Sequence, residues 1–484
     1  MNITRSSSPD VRAIEDVYEE IERVVGEEGI TSEACDRACY TRDWGPLPTS
    51  QEYLPDLVVR PRTTEEVSEI VRLANKYRIP VVPRGGATSM QGGCVPLKGG
   101  IVIDTSTMNK ILEIDEDSRL VRVQTGLLIR DLNEELEKRG LYYGDRPASW
   151  IRTTVGGRIS VNGGGAFGPR WGRAIDQVIS LEVVLPTGEI IKTGSKVYEP
   201  SAGYDLTRLF LSSEGTLGVI TEAILKVYPK PACRKVDMIL YPKWEGMIRN
   251  IGRMLQAGLA PEIMTCHDGT RYRHYIEKKL LEEGKEVPEV APDVGGILIG
   301  FAGREELVEA QRKTMAEVIK EDDGKLGDPE VANLWWETRQ GMPFNPWPKT
   351  QEKKRFATID FAVPIGKIGP VFRLYLQLSK KYKLEMYGGG TFHNAPDMFP
   401  TLTFAMFIDQ RDQTEYERWL KYVEEMAHAA IEAGGTIAGI SGVGSIKAPF
   451  FKDQYDGSTF EVIRKIKNVF DPNHIMNPGK KFTR

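Results

Sequence analysis

The chain has few cysteines, few histidines and no excess of one charge. Its 484 residues include five cysteines and five histidines, and 64 basic residues stand against 68 acidic ones. Sparse cysteines in odd number fit a reducing compartment better than a disulfide framework. Cys35 and Cys39 stand one helical turn apart, but no further ligand completes a metal set, so no metal is predicted. Without a block of like charge, no nucleic-acid or anionic membrane surface is expected.

Long hydrophobic runs are also absent. No uncharged apolar stretch reaches the roughly 18 residues that a membrane span needs, and the first residues, MNITRSSSPD, lack the apolar segment of a secretory signal. We therefore expect a cytoplasmic protein that associates with a membrane only through a partner subunit. Apolar residues make up 40% of the chain and charged residues 27%, which is typical of a folded soluble protein. The length predicts two or three domains.

Glycine is in excess, and the excess is local. Of the 48 glycines, 21 lie between residues 81 and 230, among strand-like runs of Val, Ile and Leu. Residues 82–93, VPRGGATSMQGG, follow such a strand, and paired glycines there can bring backbone N–H groups against a ligand. Such a nest binds anions, typically a diphosphate. A tight turn is the alternative, but the enclosed Thr88 and Ser89 hydroxyls favour a phosphate loop.

Two more glycine clusters follow. Residues 154–172 contain a G-x-G-x-x-G pattern at Gly163, Gly165 and Gly168, but Pro169 and Gly172 interrupt any helix at once, so this is not a Rossmann turn. Residues 212–220, SSEGTLGVI, place two glycines before a strand. Three glycine-rich segments in one domain indicate an extended ligand, such as a dinucleotide in a non-Rossmann fold.

Helix and strand patterns are mixed along the whole chain. Helices are predicted at residues 9–27, 63–78, 128–139, 244–257, 304–320, 411–433 and from 460 onwards. Strands are predicted at residues 56–60, 79–83, 101–125, 181–185, 296–301 and 403–408. The last residues, DPNHIMNPGK, read as a turn-rich anchor. The pattern predicts an α+β fold.

The order of these motifs resembles that of a known superfamily. PRTTEEV, PRGGATSMQGG, TVGGRISVNGGG, LEVVLPTGE, GYDLTRLFLSSEGTLGVITEA and DPNHIMNPGK follow one another as in the FAD-linked oxidases of the vanillyl-alcohol oxidase and p-cresol methylhydroxylase (PCMH) superfamily. The chain is most similar to the D-lactate dehydrogenase and glycolate oxidase FAD subunits. The resemblance implies a PCMH-type FAD-binding domain of two subdomains at residues 50–231, after an N-terminal helical extension at 1–49. An α+β substrate (cap) domain at 232–459 and a C-terminal segment at 460–484, which returns to the FAD domain, complete the implied organisation.

The resemblance also implies FAD as the cofactor and indicates the residues that bind it. The phosphate loop would comprise Pro83, Arg84, Gly85, Gly86, Ala87, Thr88, Ser89 and Gly92. Along the flavin would lie Thr154, Gly156, Gly157, Ser160, Asn162 and Gly164, with Gly215, Gly218, Val219 and Ile220 near the adenine and ribose; Pro147, Ser149, Glu214 and Asn477 complete the set. Some relatives tether FAD through a histidine right after the paired glycines. Ala87 stands there in this chain, so non-covalent FAD is predicted.

The substrate side departs from the resemblance. Relatives carry G-H-x-G-D-G-N-x-H and S-G-E-H-G-I-G segments, whose side chains supply metal ligands and a base. This chain has YGGGTFHNAPDMF at residues 387–399 and SGVGSIK at 441–447, which leaves His393 as a candidate base and Lys447 as a candidate anchor for a carboxylate or phenolate. Arg339 lies in LWWETR, which resembles a family segment whose arginine faces the substrate, and is the third candidate. For each of the three, a structural role is the alternative. The remaining histidines, His267, His274, His428 and His474, are predicted to be structural.

The resemblance implies an FAD-dependent oxidoreductase. Its expected reaction is oxidation of a small 2-hydroxy acid, such as D-lactate or glycolate, to the keto acid by hydride transfer to flavin N5. Electrons would pass to a protein acceptor, an iron–sulfur subunit or an electron-transfer flavoprotein, and a homodimer is a further hypothesis. Two alternatives stay open: a dehydrogenase or oxidase of a para-substituted phenol or other alcohol, and a non-catalytic, FAD-carrying electron-relay subunit.

Overall fold

The computed structural model describes residues 11–48, 50–197, 201–339, 354–394 and 399–482. Its α-helices are α1 (Val11–Val25), α2 (Ala34–Ala38), α3 (Thr64–Tyr77), α4 (Ile129–Glu137), α5 (Val155–Ser160), α6 (Gly168–Trp171), α7 (Ala174–Gln177), α8 (Leu206–Phe210), α9 (Trp244–Gln256), α10 (Gly269–Glu282), α11 (Glu305–Val318), α12 (Pro329–Thr338), α13 (Ile368–Lys381), α14 (Gln413–Glu432) and α15 (Gly457–Phe470). Short 3-10 helices occupy Glu27–Gly29, Gln51–Tyr53, Thr105–Thr107, Ile319–Asp322, Ile365–Lys367 and Ala448–Gln454. No helix among these ranges is long and apolar enough to cross a membrane.

The first sheet has four strands in the order β1-β2-β4-β3. They are β1 (Ile30–Thr31), β2 (Leu57–Val59), β3 (Val81–Arg84) and β4 (Ile101–Asp104). Between β2 and β3 lies α3, which begins where the Thr63 hydroxyl accepts a hydrogen bond from the Glu66 N–H and ends at Arg78 with a φ of 54°. The predicted strands at 56–60 and 79–83 and the helix at 63–78 are confirmed.

The second sheet has five antiparallel strands in the order β5-β6-β10-β8-β9. They are β5 (Ile111–Asp115), β6 (Leu120–Gln124), β8 (Val178–Val184), β9 (Ile190–Lys192) and β10 (Val219–Lys226), and a separate ribbon pairs β7 (Leu141–Tyr142) with β11 (Tyr228–Pro229). The rejection of a Rossmann turn is confirmed. Helix α6 opens at Gly168 but has only four residues and ends at Gly172, which has a φ of 70°.

The third sheet has seven antiparallel strands in the order β15-β12-β14-β13-β17-β18-β16. They are β12 (Cys233–Tyr241), β13 (Ile263–Asp268), β14 (Gly295–Gly303), β15 (Lys325–Leu326), β16 (Arg355–Ala362), β17 (Glu385–Asn394) and β18 (Phe399–Ile408). Side chains alternate between its two faces. Leu402, Phe404 and Met406 of β18 join one large core with residues of α9, α11, α13 and α14, whereas Thr401 and Thr403 lie on the opposite face. That second face is buried too; it is polar around Thr401 and Thr403 and apolar elsewhere, as at Leu298 and Phe407.

The C-terminal segment returns to the first sheet, as the sequence predicts. Met476 forms a parallel bridge with Val81 at the edge of β3, and the Asn477 N–H donates to the Val81 carbonyl at 2.7 Å. Lys467 of α15 fixes the turn because its buried ammonium donates to the carbonyls of Thr216 and Met476. The last residues thus hold β3, and the loop that follows it, in place.

Candidate active site

A cavity of about 360 Å³ lies between the glycine-rich segments and the polar part of the second face of the third sheet. All but three of the predicted FAD-binding residues line it: Pro83, Arg84, Gly85, Gly86, Ala87, Thr88, Ser89, Pro147, Ser149, Thr154, Gly156, Gly157, Ser160, Gly164, Glu214, Gly215, Gly218, Val219 and Ile220. The three glycine clusters, which are far apart in sequence, therefore form one wall of one cavity.

The paired glycines after β3 serve packing inside this wall. A Cβ on Gly86 would lie 1.6 Å from the carbonyl oxygen of Arg152, and one on Gly85 would lie 2.1 Å from the Thr154 hydroxyl. Among these loop residues, Ala87 has a positive φ of 54°, and Gly85 and Gly86 do not. The pair lets the loop lie directly against residues 152–154, and both glycines also line the cavity, so their approach to a ligand stays a prediction.

Other glycines leave room for a bound group. A Cβ on Gly157 would have one neighbour within 4 Å, the Thr154 hydroxyl at 3.1 Å, and one on Gly165 would have only the Arg158 guanidinium at 3.6 Å. Both glycines line the cavity. Side chains there would project into the open space, so the wall fits a large flat group that lies against bare backbone.

Three predicted FAD-binding residues lie outside the cavity lining and support it. Gly92 packs on Ser445, whose hydroxyl would be 2.2 Å from an added Cβ. The Asn162 side chain accepts from the Ile175 N–H at 3.0 Å. Asn477 donates to the carbonyls of Gly93 and Glu214 and so joins the phosphate loop to the third glycine cluster.

Glu214 connects the first wall to the segment in which the family's Glu and His are missing. Its carboxylate accepts from the N–H groups of Val443 and Gly444 at 2.9 and 2.7 Å, and Lys481 lies 3.4 Å away. Within the described ranges, no group of three or more His, Cys, Asp or Glu side chains is arranged to hold a metal.

The opposite wall consists of side chains that sequence reasoning missed. It includes Thr265 and His267 of β13, Arg271 and Tyr275 of α10, Thr358 of β16, Tyr387 of β17, Thr403 of β18 and Trp335 of α12. His267 lines the cavity, although no motif surrounds it in the sequence and a structural role was predicted. The available signal was strand alternation: in IMTCHD, polar residues at 265 and 267 alternate with Met264 and Cys266, which face the core.

His267 is buried, and its ring nitrogens make no hydrogen bond to the described residues. The ring packs edge-on against Tyr275 with centroids 4.9 Å apart. Burial, and the nearby Arg271 cation, hold the pKa of His267 well below its ordinary value. The ring is therefore neutral at physiological pH.

Arg271 is held beside His267 by the start of α10. Asp268 caps this helix, accepting from the Arg271 N–H at 2.8 Å and from the Gly389 N–H at 2.6 Å. Burial raises the pKa of Asp268 to about 6. The YGGG glycines give this arrangement room, because a Cβ on Gly390 would lie 2.7 Å from the Arg271 guanidinium. The glycines of this segment thus leave space for the Arg271 guanidinium beside the cavity.

Of the two predicted catalytic side chains that the structure describes, Arg339 lies in the cavity wall and Lys447 does not. Arg339 follows α12, is 3% exposed, and donates from Nη2 to the Arg146 carbonyl at 2.7 Å. Nη1 is buried without a partner among the described residues. The guanidinium lies 4.9 Å from the centroid of the Phe167 ring, and burial lowers its pKa to about 9. It remains a cation near pH 7 and has N–H groups to offer an anion.

Lys447 does not lie in the cavity wall. Its ammonium is fully buried and donates to the Asp360 carbonyl at 3.1 Å, with the Asp360 carboxylate 3.3 Å away. That carboxylate also accepts from the N–H groups of Gly439 and Ile440. The prediction of an anchor at Lys447 is therefore replaced by a structural ion pair. His393 lies in β17, opposite Pro400 of β18, but its side chain lies outside the described residues.

Comparisons with known proteins identify the family. Residues 55–194 match the FAD binding domain, and residues 230–481 match the FAD linked oxidases, C-terminal domain. The chain belongs to the FAD-linked oxidases. It is 34% identical to the glycolate oxidase subunit GlcD of Bacillus subtilis, over 97% of each chain. It is 30% identical to a D-lactate dehydrogenase of Anaerostipes hadrus, over 88% of this chain and 89% of the other.

Solved structures show the same fold. p-Cresol methylhydroxylase with bound substrate superposes with a TM-score of 0.79 at 16% identity, covering 98% of this chain and 97% of the other. The 4-ethylphenol oxidase of Gulosibacter chungangensis gives 0.79 at 18% identity, over 98% of each chain. The protein is an FAD-linked oxidoreductase of the PCMH-type fold, as the resemblance implied. The individual FAD contacts and the domain boundaries stay predictions.

Proposed function

We propose that this FAD-linked enzyme oxidises a small 2-hydroxy acid of the D-lactate or glycolate kind to the 2-keto acid. The observation that carries the proposal is Arg339, a buried guanidinium with an unpaired Nη1 in the cavity wall. Buried polar groups are nearly always paired, so this donor suits a ligand acceptor. A carboxylate is the natural partner, because its two oxygens match the guanidinium fork. The relatives named for glycolate and D-lactate support the same substrate class.

The first wall is proposed to bind FAD. The loop after β3 would hold the diphosphate, and the bare backbone at Gly157 and Gly165 would lie along the flavin. When bound, FAD supplies the two-electron oxidant for the reaction. Ala87 offers no nucleophile for a tether at the loop, so the cofactor is non-covalent there. Acid precipitation should release the flavin into the supernatant, whereas a coloured pellet would contradict this.

Electrons are proposed to leave through a protein acceptor, either an iron–sulfur subunit or an electron-transfer flavoprotein. The five cysteines are free thiols, and two of them, Cys94 and Cys266, are buried. They are too dispersed to suggest a cluster of their own. Slow reoxidation of the reduced enzyme by oxygen is expected, and rapid peroxide production would instead indicate an oxidase.

Anaerobic flavin reduction tests the substrate class. D-lactate, glycolate and D-2-hydroxyglutarate are added separately, and bleaching of the visible flavin spectrum is followed. Bleaching by at least one acid is expected. Replacing Arg339 with methionine should raise the concentration needed for half-maximal bleaching, since the carboxylate loses its cation. If no hydroxy acid bleaches the flavin, the proposal fails.

One observation favours a para-substituted phenol as second candidate. The same wall carries Tyr275, Tyr387 and Arg271, with the Arg271 guanidinium 5.6 Å from the centroid of the Tyr387 ring. Burial raises the pKa of both tyrosines, so they stay hydroxyl donors. Two phenol donors and a cation could hold a phenolate oxygen. Bleaching by a 4-alkylphenol, with none by hydroxy acids, would reverse the order of the candidates.

A further inference from the structure

We propose that His267 is the catalytic base that takes the hydroxyl proton of the substrate, in place of a histidine from the missing S-G-E-H segment. The inference rests on the proposed hydroxy-acid oxidation. It deepens that function by naming the group that accepts the hydroxyl proton of the substrate. Arg339 is a cation and cannot accept it, and Lys447 lies outside the cavity lining.

The fold points the imidazole at the cavity. His267 lies on the face of β13 that lines the cavity, between Thr265 and the helix that starts at Gly269. Its register partners are Gly296 on β14 and Gly390 on β17, neither of which has a side chain to cover the ring. Tyr275 packs on the ring edge. The register partners thus leave space beside the ring, and its two buried nitrogens make no hydrogen bond to any described residue.

The lack of partners sets His267 apart from two other histidines. His274 pairs with Glu277 at 3.2 Å, and His428 lies 3.5 Å from Asp453. Both ring nitrogens of His267 lack a hydrogen bond although the residue is only 2% exposed. Leaving a buried polar group unpaired costs free energy, so such a group is commonly functional or holds a ligand.

The local charges keep the free base available. The charged or titratable side chains around the ring are Arg271 and Tyr275 on α10, together with Arg339 after α12 and Tyr387 on β17 in the same wall. The Asp268 carboxylate is engaged by two backbone N–H groups. Because burial and Arg271 lower the pKa of His267, the imidazole is already unprotonated when the substrate binds. A bound substrate carboxylate would add a negative charge and favour the imidazolium afterwards.

In the proposed step the substrate loses a proton from its hydroxyl group and a hydride from C2. The substrate O–H bond breaks, and its proton forms an N–H bond on His267. The C2–H bond breaks, and the hydrogen would leave with its electron pair; FAD, when bound in the cavity, would supply the two-electron oxidant that this requires. C2 and its oxygen become a carbonyl, so the acid is oxidised by two electrons and the base carries one proton to be released to solvent.

The first test replaces the base and measures rapid flavin reduction without oxygen. His267→Gln should slow reduction about 10²- to 10⁴-fold, the usual contribution of a general base. Affinity for the keto acid product, read from the flavin spectrum, should change less than threefold. The matched control is His428→Gln on α14, which lies outside the cavity lining and should reduce at the wild-type rate.

The second test needs no turnover. With five histidines in the chain, imidazole ¹⁵N spectra are simple, and the signal absent from His267→Gln identifies this residue. It should remain neutral at pH 6 in the wild-type protein. The wild-type reduction rate should fall only at acidic pH, and this acid limb should disappear in His267→Gln.

The outcomes separate the two proposals. If hydroxy acids reduce the wild-type flavin and His267→Gln reduces within threefold of it, with the same pH profile, His267 is not the base and the proposed function stands. An imidazolium signal at pH 6 would also overturn the assignment. If no hydroxy acid reduces the wild-type flavin, the proposed function and the base proposal fail together.

Discussion

The two walls of the cavity differ in what lines them. The FAD-side wall is mainly backbone, from short continuous segments such as residues 83–89 and 156–166. The substrate-side wall is made of side chains on alternate positions of strands and on two helices. Arg271 and Thr403, which share a hydrogen bond, lie 132 residues apart. A wall made of backbone can be predicted from clusters of glycine in the sequence. A wall made of side chains from distant segments has no such local pattern.

Two buried cations sharpen this comparison. Arg339 lies in the cavity wall and has an unpaired nitrogen, whereas Lys447 is paired with Asp360. Both were candidates on sequence grounds. What separates them is the partner that the fold brings close, and the predictions that follow test that separation.

The largest effect is expected in the backbone wall, from Gly86→Ala. The new Cβ would meet the Arg152 carbonyl oxygen at 1.6 Å, and backbone cannot yield as a flexible side chain can. We expect loss of bound flavin and of most soluble protein, measured as flavin absorbance per chain. Gly252→Ala on α9 is the control, because its Cβ has no neighbour within 4 Å. Full flavin content in Gly86→Ala would contradict the packing argument.

The next largest effect is expected from Lys447→Met. It leaves Asp360 buried without its cation, which typically costs about 3–5 kcal/mol. The urea midpoint should fall, and product affinity should be unchanged. Adding Asp360→Asn should restore part of the loss. If Lys447→Met instead weakened binding of the keto acid product and left the urea midpoint unchanged, Lys447 would be a substrate-binding residue.

Arg339→Met should show the opposite pattern. Losing a charge-assisted pair with the substrate carboxylate should weaken keto acid binding about 10- to 100-fold, or about 1.4–2.8 kcal/mol. Stability should hold or rise, because an incompletely paired buried cation is removed. Titration of the flavin spectrum measures the affinity. If Arg339→Met and Lys447→Met shift the same quantity, the two cations do not have separate roles.

The smallest effect concerns pH. The unfolded state takes up a proton near the ordinary histidine value of 6.5, and folded His267 resists it, so stability should fall as pH drops below 6.5. The limiting slope from one such group is about 1.4 kcal/mol per pH unit. His267→Gln should flatten this slope. Asp268, with a raised pKa of about 6, acts in the opposite direction but is common to both proteins. Equal slopes would mean that the imidazole titrates normally.

Much of the fold and half of the site could be predicted from sequence. Capping at Thr63, the helices and strands, and the glycine-rich wall depend on local residue patterns. His267 could not be singled out, because one polar residue on a half-apolar strand has no motif. Lys447 was misassigned because its partner Asp360 lies 87 residues away.

By itself, the sequence determined the α+β class and the glycine-rich segments that line the cavity, because bare backbone and strand periodicity are local properties. The resemblance of its motifs indicated the family. Only the tertiary structure decided that His267 and Arg271 share a wall with Arg339, and that Lys447 does not. The reason is that pairing and burial of a charge depend on residues brought together from distant parts of the chain.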